Sequence, residues 1–383
     1  MGTAVLNWRK LRTQTWHHAP DLAPWAKPLL QELRSRVPKI SGMNWILSSG
    51  TQSVRTLKAI GLSEEAILTS AESVNKHLQS TFTDRWLVAI PRYHIGGLAV
   101  YARAQLSGAK VSVLEGKWSA KAFVAAVEHE GATLASLVPA QVHDLVSGGL
   151  KSPACLRAVV VGGGALEPWL YIQARTQGWP LLPSYGLTEC ASQVATASLN
   201  SLAHAGFPAL QTLGHVELKL CEQRIFLQSA ALCRWVATAN EQGYSLESPL
   251  RSGWLPTEDL AEQDNGGLRI LGRRDSVVKI LGILVPMQEV EFEAGEFFRG
   301  VGWDEPFAVM PAPDSRQGSK LLVVTDSSAS LRDWEGRIAE YNAAVSGVRR
   351  LGGPCWVPKI ERGEMGKVKR AELAALISAR TSN

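Results

Sequence analysis

The stretch "YGLTECASQVAT" (185–196) follows the apolar run Leu181-Leu182-Pro183 and puts a phenol, a glycine, a hydroxyl and one carboxylate into five positions. A carboxylate beside a hydroxyl at a strand end can hold a hydrated Mg²⁺ against a phosphate, and a tyrosine ring can lie against a base. Thr188-Glu189 would serve equally well as a helix start with an acidic first turn. In "NWILSSGTQSVRTLK" an apolar run ends in Ser48-Ser49-Gly50-Thr51, and Arg55 and Lys58 follow. Hydroxyls, backbone N–H groups and nearby cations are what a polyphosphate needs, although a polar turn with solvated charges has the same composition. "VVVGGGALEP" (159–168) sets three glycines after a β-branched run, which lets a flat ligand approach the backbone or simply tightens a strand-to-helix turn.

Three further stretches carry isolated reactive groups. In "GWLPTEDLA" (253–261) Asp259 follows a turn and can accept two hydrogen bonds from a ribose diol, while turn aspartates are also structural. In "PRYHIGGLAVYAR" (91–103) His94 sits after a strand and before Gly96-Gly97, with Arg103 nine positions further along a helix that starts at the glycines. A buried, satisfied histidine and a surface arginine are the plain alternatives. "GEMGKVKRAEL" (363–373) presents Lys367 just before an amphipathic helix, where most lysines are merely solvated.

These residues need a scaffold, and the chain is long enough to supply one. Its 383 residues, 45% hydrophobic and 20% charged, describe a globular chain with a real core and exclude disorder. A net charge of +5 spread over scattered Lys and Arg residues gives no nucleic-acid footprint and suits phosphorylated ligands. The five cysteines, Cys155, Cys190, Cys221, Cys233 and Cys355, form no CxxC pair, which argues against a disulfide framework and a zinc ribbon. Reduced thiols, an N-terminus without an apolar h-region and no apolar run near 18 residues together predict a cytoplasmic protein with no membrane partner.

From residue 84 short β-branched runs alternate with helical ones: "RWLVAI", "KVSVLEG", "SAKAFVAAVEHEG", "TLASLVP", "AQVHDLVSGG", "LRAVVVGGG", "ALEPWLYIQARTQGW" and "PLLPSYG". This pattern predicts right-handed crossovers and a largely parallel sheet covered by helices, with ligands gathering beyond the carboxyl ends of the strands. After residue 205 short alternating runs such as "TLGHVELKL" and "QRIFLQ" predict a small antiparallel sheet or barrel. "GGLRILGRRDSVVKILGILVPMQEVE" reads as strand, Gly turn, hairpin and helix start, which places a domain boundary near Gly272. The fold class is α/β: a large N-terminal domain, 1–271, of mostly parallel sheets with flanking helices plus the small antiparallel element, then a small α+β C-terminal domain, 272–383.

Taken in order, the pieces resemble the adenylate-forming superfamily of acyl-CoA synthetases, luciferases and peptide-synthetase adenylation domains. That family's order is a Ser/Thr/Gly/Lys loop, a His after a strand, a Gly-Gly-Ala turn, Y-G-x-T-E, a T-G-D-like element, G-R-x-D and a late G-K. The counterparts look like Ser49-Gly50-Thr51 with Lys58, then His94, Gly163-Gly164-Ala165, Tyr185-Gly186-Leu187-Thr188-Glu189, Glu258-Asp259, Gly272-Arg273-Arg274-Asp275 and Gly366-Lys367. Within the family, "HIGGLAVYAR" and "TECASQVAT" look most like the o-succinylbenzoate–CoA ligases of menaquinone synthesis, which likewise carry an Arg nine positions after the His.

The resemblance implies an ATP-dependent acid–CoA ligase with ATP, Mg²⁺ and CoA as cofactor and co-substrates and a small carboxylic acid as partner. It implies Lys367, Glu189, Thr188 and His94 as catalytic residues and Glu189 as the metal ligand. Ser49, Gly50, Thr51, Lys58, Gly163, Gly164, Ala165, Tyr185, Gly186, Asp259 and Arg273 would bind ATP or AMP, and His94 with Arg103 the acyl substrate. The C-terminal domain would be mobile about a hinge at Asp275, with a CoA-side hairpin around Gly282. This chain departs from the pattern in three ways. Its phosphate loop lacks the second Gly and the Pro-Lys, so Lys58 corresponds only across two inserted residues; T-G-D is T-E-D here; and only about 45 residues precede the phosphate loop, a shortened N-terminal region that leaves room for a homodimer partner. Another aryl- or acyl-CoA synthetase and a non-catalytic nucleotide-binding relative are the alternatives.

Overall fold

The computed structural model describes residues 14–20, 22, 24–39, 42–49, 56–264, 266–345, 347–362 and 368–381. It starts with β1 (Thr15–His17), α1 (Ala26–Arg36), β2 (Met43–Ser49), β3 (Leu57–Ser63) and α2 (Glu64–Leu78). The α2 start is fixed by Ser63, whose hydroxyl accepts from the Ala66 amide at 3.1 Å, with Glu64 and Glu65 favourably placed in the first turn. There follow β4 (Arg85–Val88), α3 (Ile95–Ser107), β5 (Lys110–Val113), α4 (Ala120–Glu130), β6 (Leu134–Leu137), α5 (Pro139–Ser147), β7 (Ala158–Val161), α6 (Pro168–Thr176), β8 (Leu181–Leu187), β9 (Ser192–Thr196) and β10 (Gln211–Thr212).

Seven of these strands form one sheet in the order β10-β9-β8-β7-β6-β4-β5. Pairing is parallel from β5 to β8 and antiparallel from β8 through β9 to β10. The β6 and β7 segments, LASL and AVVV, are buried at every position, as strands covered on both faces must be. On one face α4, α5 and α6 close a core of Phe123, Val127, Leu145, Leu170, Tyr171 and Trp179. Helices α2 and α3 pack on each other and against β9, and α3 also meets β4, β5 and β6. The crossovers expected from the alternating pattern are therefore present.

The amino ends of these strands are tied by a half-buried ion pair. Arg157, just before β7, donates from Nε and Nη2 to the two carboxylate oxygens of Asp84, both at 2.8 Å, and from Nη1 to the Leu78 carbonyl at 2.9 Å. Thr133, before β6, and the Thr81 amide complete the carboxylate's shell at 2.7 and 2.9 Å. Burial pushes the Asp84 carboxyl up, but the hydrogen bonds from Arg157, Thr81 and Thr133 outweigh it and hold it at about 2.

Beyond β10 come β11 (Glu217–Cys221), β12 (Arg224–Gln228), β13 (Trp235–Asn240), β14 (Gly243–Glu247), β15 (Leu255–Asp264) and β16 (Gly267–Arg273). Strands β11, β12, β15 and β16 make a small separate sheet where the sequence predicts one, antiparallel where β11 pairs with β12. Strands β13 and β14 instead return to the start of the chain, completing a second sheet in the order β1-β2-β3-β13-β14. That sheet is antiparallel except at β1–β2, so only the seven-stranded sheet is mostly parallel. Its buried face holds Leu30 and Leu33 of α1 against Trp45, Ala59 and Ala237.

The chain divides into two compact units, the first running to Thr257 and including 262–269, the second taking 258–261 and everything from Ile270. The second unit contains β17 (Val277–Ile280), β18 (Ile283–Pro286), α7 (Met287–Gly300), β19 (Phe307–Asp314), β20 (Gly318–Thr325), α8 (Leu331–Ala344), β21 (Leu351–Trp356) and α9 (Arg370–Thr381). Strands β19, β20 and β21 form a sheet, antiparallel then parallel, over a core of Val290, Phe298, Trp334, Ile338 and Tyr341. Edge-to-face contacts of Phe298 with Phe307 and Trp334, centroids 5.4 and 5.6 Å apart, pack its centre. The β17–β18 hairpin turns through Leu281 and Gly282, whose φ values of 51° and 84° match a two-residue turn with both residues left-handed. Gly282 thus lies at the tip of the hairpin anticipated around it.

Candidate active site

In a parallel sheet with helical crossovers, every strand delivers its carboxyl end to the same edge. Here the segments leaving β4, β7 and β8 carry His94, Gly163-Gly164-Ala165 and Thr188-Glu189, so the topology brings these three predicted pieces to one edge. His94 is the N-cap residue of α3, and its ring lies 4.7 Å from that of Tyr93. The helix begins so close to the 90–91 turn that a Cβ on Gly97 would stand 2.3 Å from the Ile90 carbonyl oxygen. Gly163, at φ 81°, lets the chain leave β7 in a left-handed turn before α6.

Thr188 and Glu189 open a single 3-10 turn rather than an α-helix, between β8 and β9. The Glu189 carbonyl accepts from the Cys233 amide at 2.7 Å, which fixes the backbone of the turn. Its carboxylate accepts from Lys58 Nζ at 2.7 Å, in a half-buried ion pair. Lys58 lies in β3, paired across to Ser48 and Thr238, so its cation reaches Glu189 from the neighbouring sheet and not from the phosphate loop. Cys190 and Cys233 are buried beside this pair; burial and the Glu189 charge push the Cys190 thiol up to about 12 and raise Cys233 as well, so both stay protonated.

Tyr185 and Gly186 lie on β8 opposite β9, with a register shift between them. A Cβ on Gly186 would stand 2.0 Å from the Ser192 carbonyl oxygen, so only glycine admits this approach of the two strands. Behind the hairpin a buried polar relay runs from Ser184 to Thr196 at 2.9 Å and from Thr196 to Gln193 Oε1 at 2.8 Å.

Arg103 is the unusual group. It lies on α3 within an unbroken buried run from Gly97 to Ala104 and is 1% exposed. Its Nη2 donates to Ser192 Oγ at 3.2 Å and its Nη1 to Ser136 Oγ of β6 at 3.5 Å, and the guanidinium sits 5.6 Å from the centroid of the Trp86 ring. Its Nε has no hydrogen-bond partner, and among the described residues no carboxylate pairs with it. Burial pushes the guanidinium down to about 9, still protonated at neutral pH. A buried cation with an unused donor and no counter-charge among the described residues can take up an anion. Ser136 and Ser192 were not readable as its partners, because they lie on strands 33 and 89 positions away.

The remaining predicted residues are placed as follows. Ser49 ends β2 opposite Leu57. Asp259 lies on β15 and Arg273 ends the neighbouring β16, both in the second unit, where Asp275 falls in the 3-10 turn Arg274–Ser276. Gly50, Thr51 and Lys367 lie outside the described residues, as does the Asp275 side chain. Among the described residues no three His, Cys, Asp or Glu side chains gather into a metal cage. A lone carboxylate suits Mg²⁺, which keeps its waters and is held by one or two carboxylates together with substrate phosphates. No described helix is long and apolar enough to cross a membrane.

The profile of the AMP-binding enzyme family matches residues 9–225. The chain is 34% identical over 229 residues to 2-succinylbenzoate–CoA ligase of Escherichia coli, covering 59% of this chain and 47% of that one. It is 30% identical over 233 residues to the Bacillus subtilis enzyme of the same name, covering 58% and 47%. The chain thus spans about half the length of the curated relatives it matches. Among solved structures, the o-succinylbenzoate CoA synthetase of Bacillus subtilis in complex with the acyl-adenylate intermediate OSB-AMP has the same fold, with a TM-score of 0.70 at 24% identity over 86% of this chain and 68% of that one. The same synthetase with ATP and magnesium gives a TM-score of 0.69, also at 24% identity. With more than half of its length matched to the family, the chain belongs to the AMP-binding enzymes.

Proposed function

We propose that this chain is an AMP-forming acid–CoA ligase whose acid carries a second carboxylate, with o-succinylbenzoate as the substrate. The observation that carries the reading is Arg103, a fully buried cation without a counter-charge among the described residues, on the helix capped by His94. One carboxylate of a diacid would meet Arg103 while the other reacts. The names of the relatives support the acid's identity.

In the first half-reaction a carboxylate oxygen attacks the α-phosphorus of ATP, and the bond to pyrophosphate breaks. Carboxylate and triphosphate repel, so the site must supply positive charge where the transition state needs it. Lys58 would supply one charge, being already beside the metal-binding carboxylate, and Lys367 would bind both the reacting carboxylate and the α-phosphate. Ser49, Gly50, Thr51 and Thr188 would hold phosphate oxygens. Adenine would lie between Tyr185, next to Gly186, and the Gly163-Gly164-Ala165 turn, with Asp259 and Arg273 on the ribose and His94 beside the acyl group. Mg²⁺, held by Glu189 and the phosphates, would neutralise charge on the leaving pyrophosphate.

In the second half-reaction the sulfur of CoA attacks the acyl carbon and AMP leaves. A free thiol with a pKa of about 8.5 supplies enough thiolate at neutral pH, so positioning matters more than a strong base. Movement about Asp275 would exchange Lys367 for the hairpin at Gly282 between the two steps. The test is thioester formation, read by mass spectrometry with ATP, Mg²⁺, CoA and a panel of o-succinylbenzoate, benzoate, 4-phenylbutyrate and medium-chain fatty acids. A product from o-succinylbenzoate alone is expected; product from the monoacids alone refutes the diacid reading. Lys367→Ala should slow adenylation by several orders of magnitude yet spare thioester formation from supplied acyl-adenylate, and equal losses in both would refute its assigned role.

A further inference from the structure

The turn that presents Thr188 and Glu189 continues into two residues with unusual backbones. Ala191 has φ 50° and Ser192 has φ 107°, a conformation that side-chain-bearing residues rarely adopt. Glycine is the ordinary occupant of such positions, because a Cβ there crowds the neighbouring peptide groups. Ser192 is nevertheless a serine, and it is 9% exposed. Its carbonyl oxygen is also the atom that a Cβ on Gly186 would strike at 2.0 Å. Two separate features therefore serve one result: the missing side chain at Gly186 and the left-handed backbone at Ser192 together let this residue lie deep between the strands. There its hydroxyl accepts from Arg103 Nη2 at 3.2 Å.

We propose that Ser192 is the residue that positions Arg103 for a carboxylate of the acid substrate, and that its hydroxyl completes the anion pocket; this rests on the diacid reading given above. Three points support it. First, Arg103 has few partners to orient it: Ser136 at 3.5 Å is a weaker contact, and the Trp86 ring attracts the cation without fixing the directions of its N–H bonds. Second, the guanidinium is a planar fork, so fixing Nη2 fixes the direction in which the unused Nε–H points. Third, Ser192 accepts the Arg103 hydrogen bond on an oxygen lone pair, which leaves its own O–H to donate to the same anion. A strained backbone at a residue with this contact is the pattern expected where conformation is held for function rather than for stability.

Ser192 also lies three residues beyond Glu189, as the first residue of β9 just after the 3-10 turn. The acid pocket and the metal-binding carboxylate are then parts of one continuous segment. A diacid seated on Arg103 and Ser192 would brace the turn that holds the Mg²⁺–phosphate side, which makes adenylation sensitive to the presence of the second carboxylate.

The test compares Ser192→Ala, Ser192→Gly and Arg103→Met with wild type, measuring KM and kcat for o-succinylbenzoate and for 4-oxo-4-phenylbutanoate, the same skeleton without the ring carboxylate. Both Ser192 variants should raise KM for the diacid at least tenfold and change that for the monoacid less than threefold. Ser192→Gly should also melt at or above the wild-type temperature, since glycine relieves the backbone while removing the hydroxyl. A purely structural serine would instead lower the melting temperature in the alanine variant and affect both acids alike, and that result overturns the proposal. So does a wild-type KM for the diacid in Ser192→Gly when Arg103→Met raises it. If Arg103→Met itself leaves the diacid KM unchanged, the diacid reading fails and takes this proposal with it.

Discussion

Replacing Arg103 by methionine should make the protein more stable and a poorer diacid enzyme at once. The guanidinium falls from 12.5 to about 9 on folding because burial disfavours its charge. A cation whose folded pKa lies below its unfolded one destabilises the fold; the effect is complete below about 9 and fades only as pH rises toward 12.5. Those roughly 3.5 units correspond to on the order of 5 kcal/mol at neutral pH. Against this stand the ring contact with Trp86 and the hydrogen bonds to Ser136 and Ser192, whose hydroxyls lose a partner in the variant at about 1 kcal/mol each. Methionine has similar length and the flexibility to fill the space. A net gain of about 2 kcal/mol should remain, as found when buried charges give way to apolar groups. Chemical denaturation without ligands measures it directly. In parallel, o-succinylbenzoate should raise the melting temperature of wild type above its value with AMP alone and add little to that of Arg103→Met, while KM for the diacid rises about 10- to 100-fold, the worth of a charge-assisted pair. A variant less stable than wild type by 1 kcal/mol or more would mean that the charge is compensated in the fold, and the reasoning that it awaits an anion would collapse.

The Asp84–Arg157 clamp predicts a different pH signature. With its carboxyl held at about 2 against an ordinary 3.8, Asp84 contributes about 2.5 kcal/mol that is fully present above pH 4 and lost as pH falls toward 2. Asp84→Asn should therefore be destabilised at pH 7, with the gap to wild type closing by about that amount between pH 5 and pH 2 in denaturant melts; parallel profiles would exclude the assignment. Lys58→Met removes a partly exposed pair, so stability should move by no more than about 1 kcal/mol. KM for ATP in pyrophosphate exchange should nonetheless rise about tenfold or more. An unchanged KM would restrict Lys58 to shielding Glu189.

What could be read in the sequence was what is local. Each β-α unit from β4 to β8 carries its own apolar run, turn and helix, so the parallel sheet and the edge on which His94, the Gly163–Ala165 turn and Glu189 gather were visible without coordinates. The return of β13 to β3 was not, because Trp235 pairs with Gly61 and no local pattern announces so distant a partner. The same separation hid the contacts that give the motif residues their meaning: Lys58 to Glu189 across 131 positions, Arg103 to Ser192 across 89 and Arg157 to Asp84 across 73. Composition marks Gly186 as flexible, yet the structure uses it as the one residue without a Cβ to meet the Ser192 carbonyl. Nothing in the letters distinguishes Ser192 from an ordinary strand serine, since its left-handed φ is imposed by that approach. The strand pairing thus turns one stretch, 185–192, into two devices: Glu189 faces the cation on β3, and Ser192 faces the cation on α3. On the proposed reading, joining an acid to a nucleotide needs the two binding functions held at a fixed separation, and one short segment with a cation against each end would provide that.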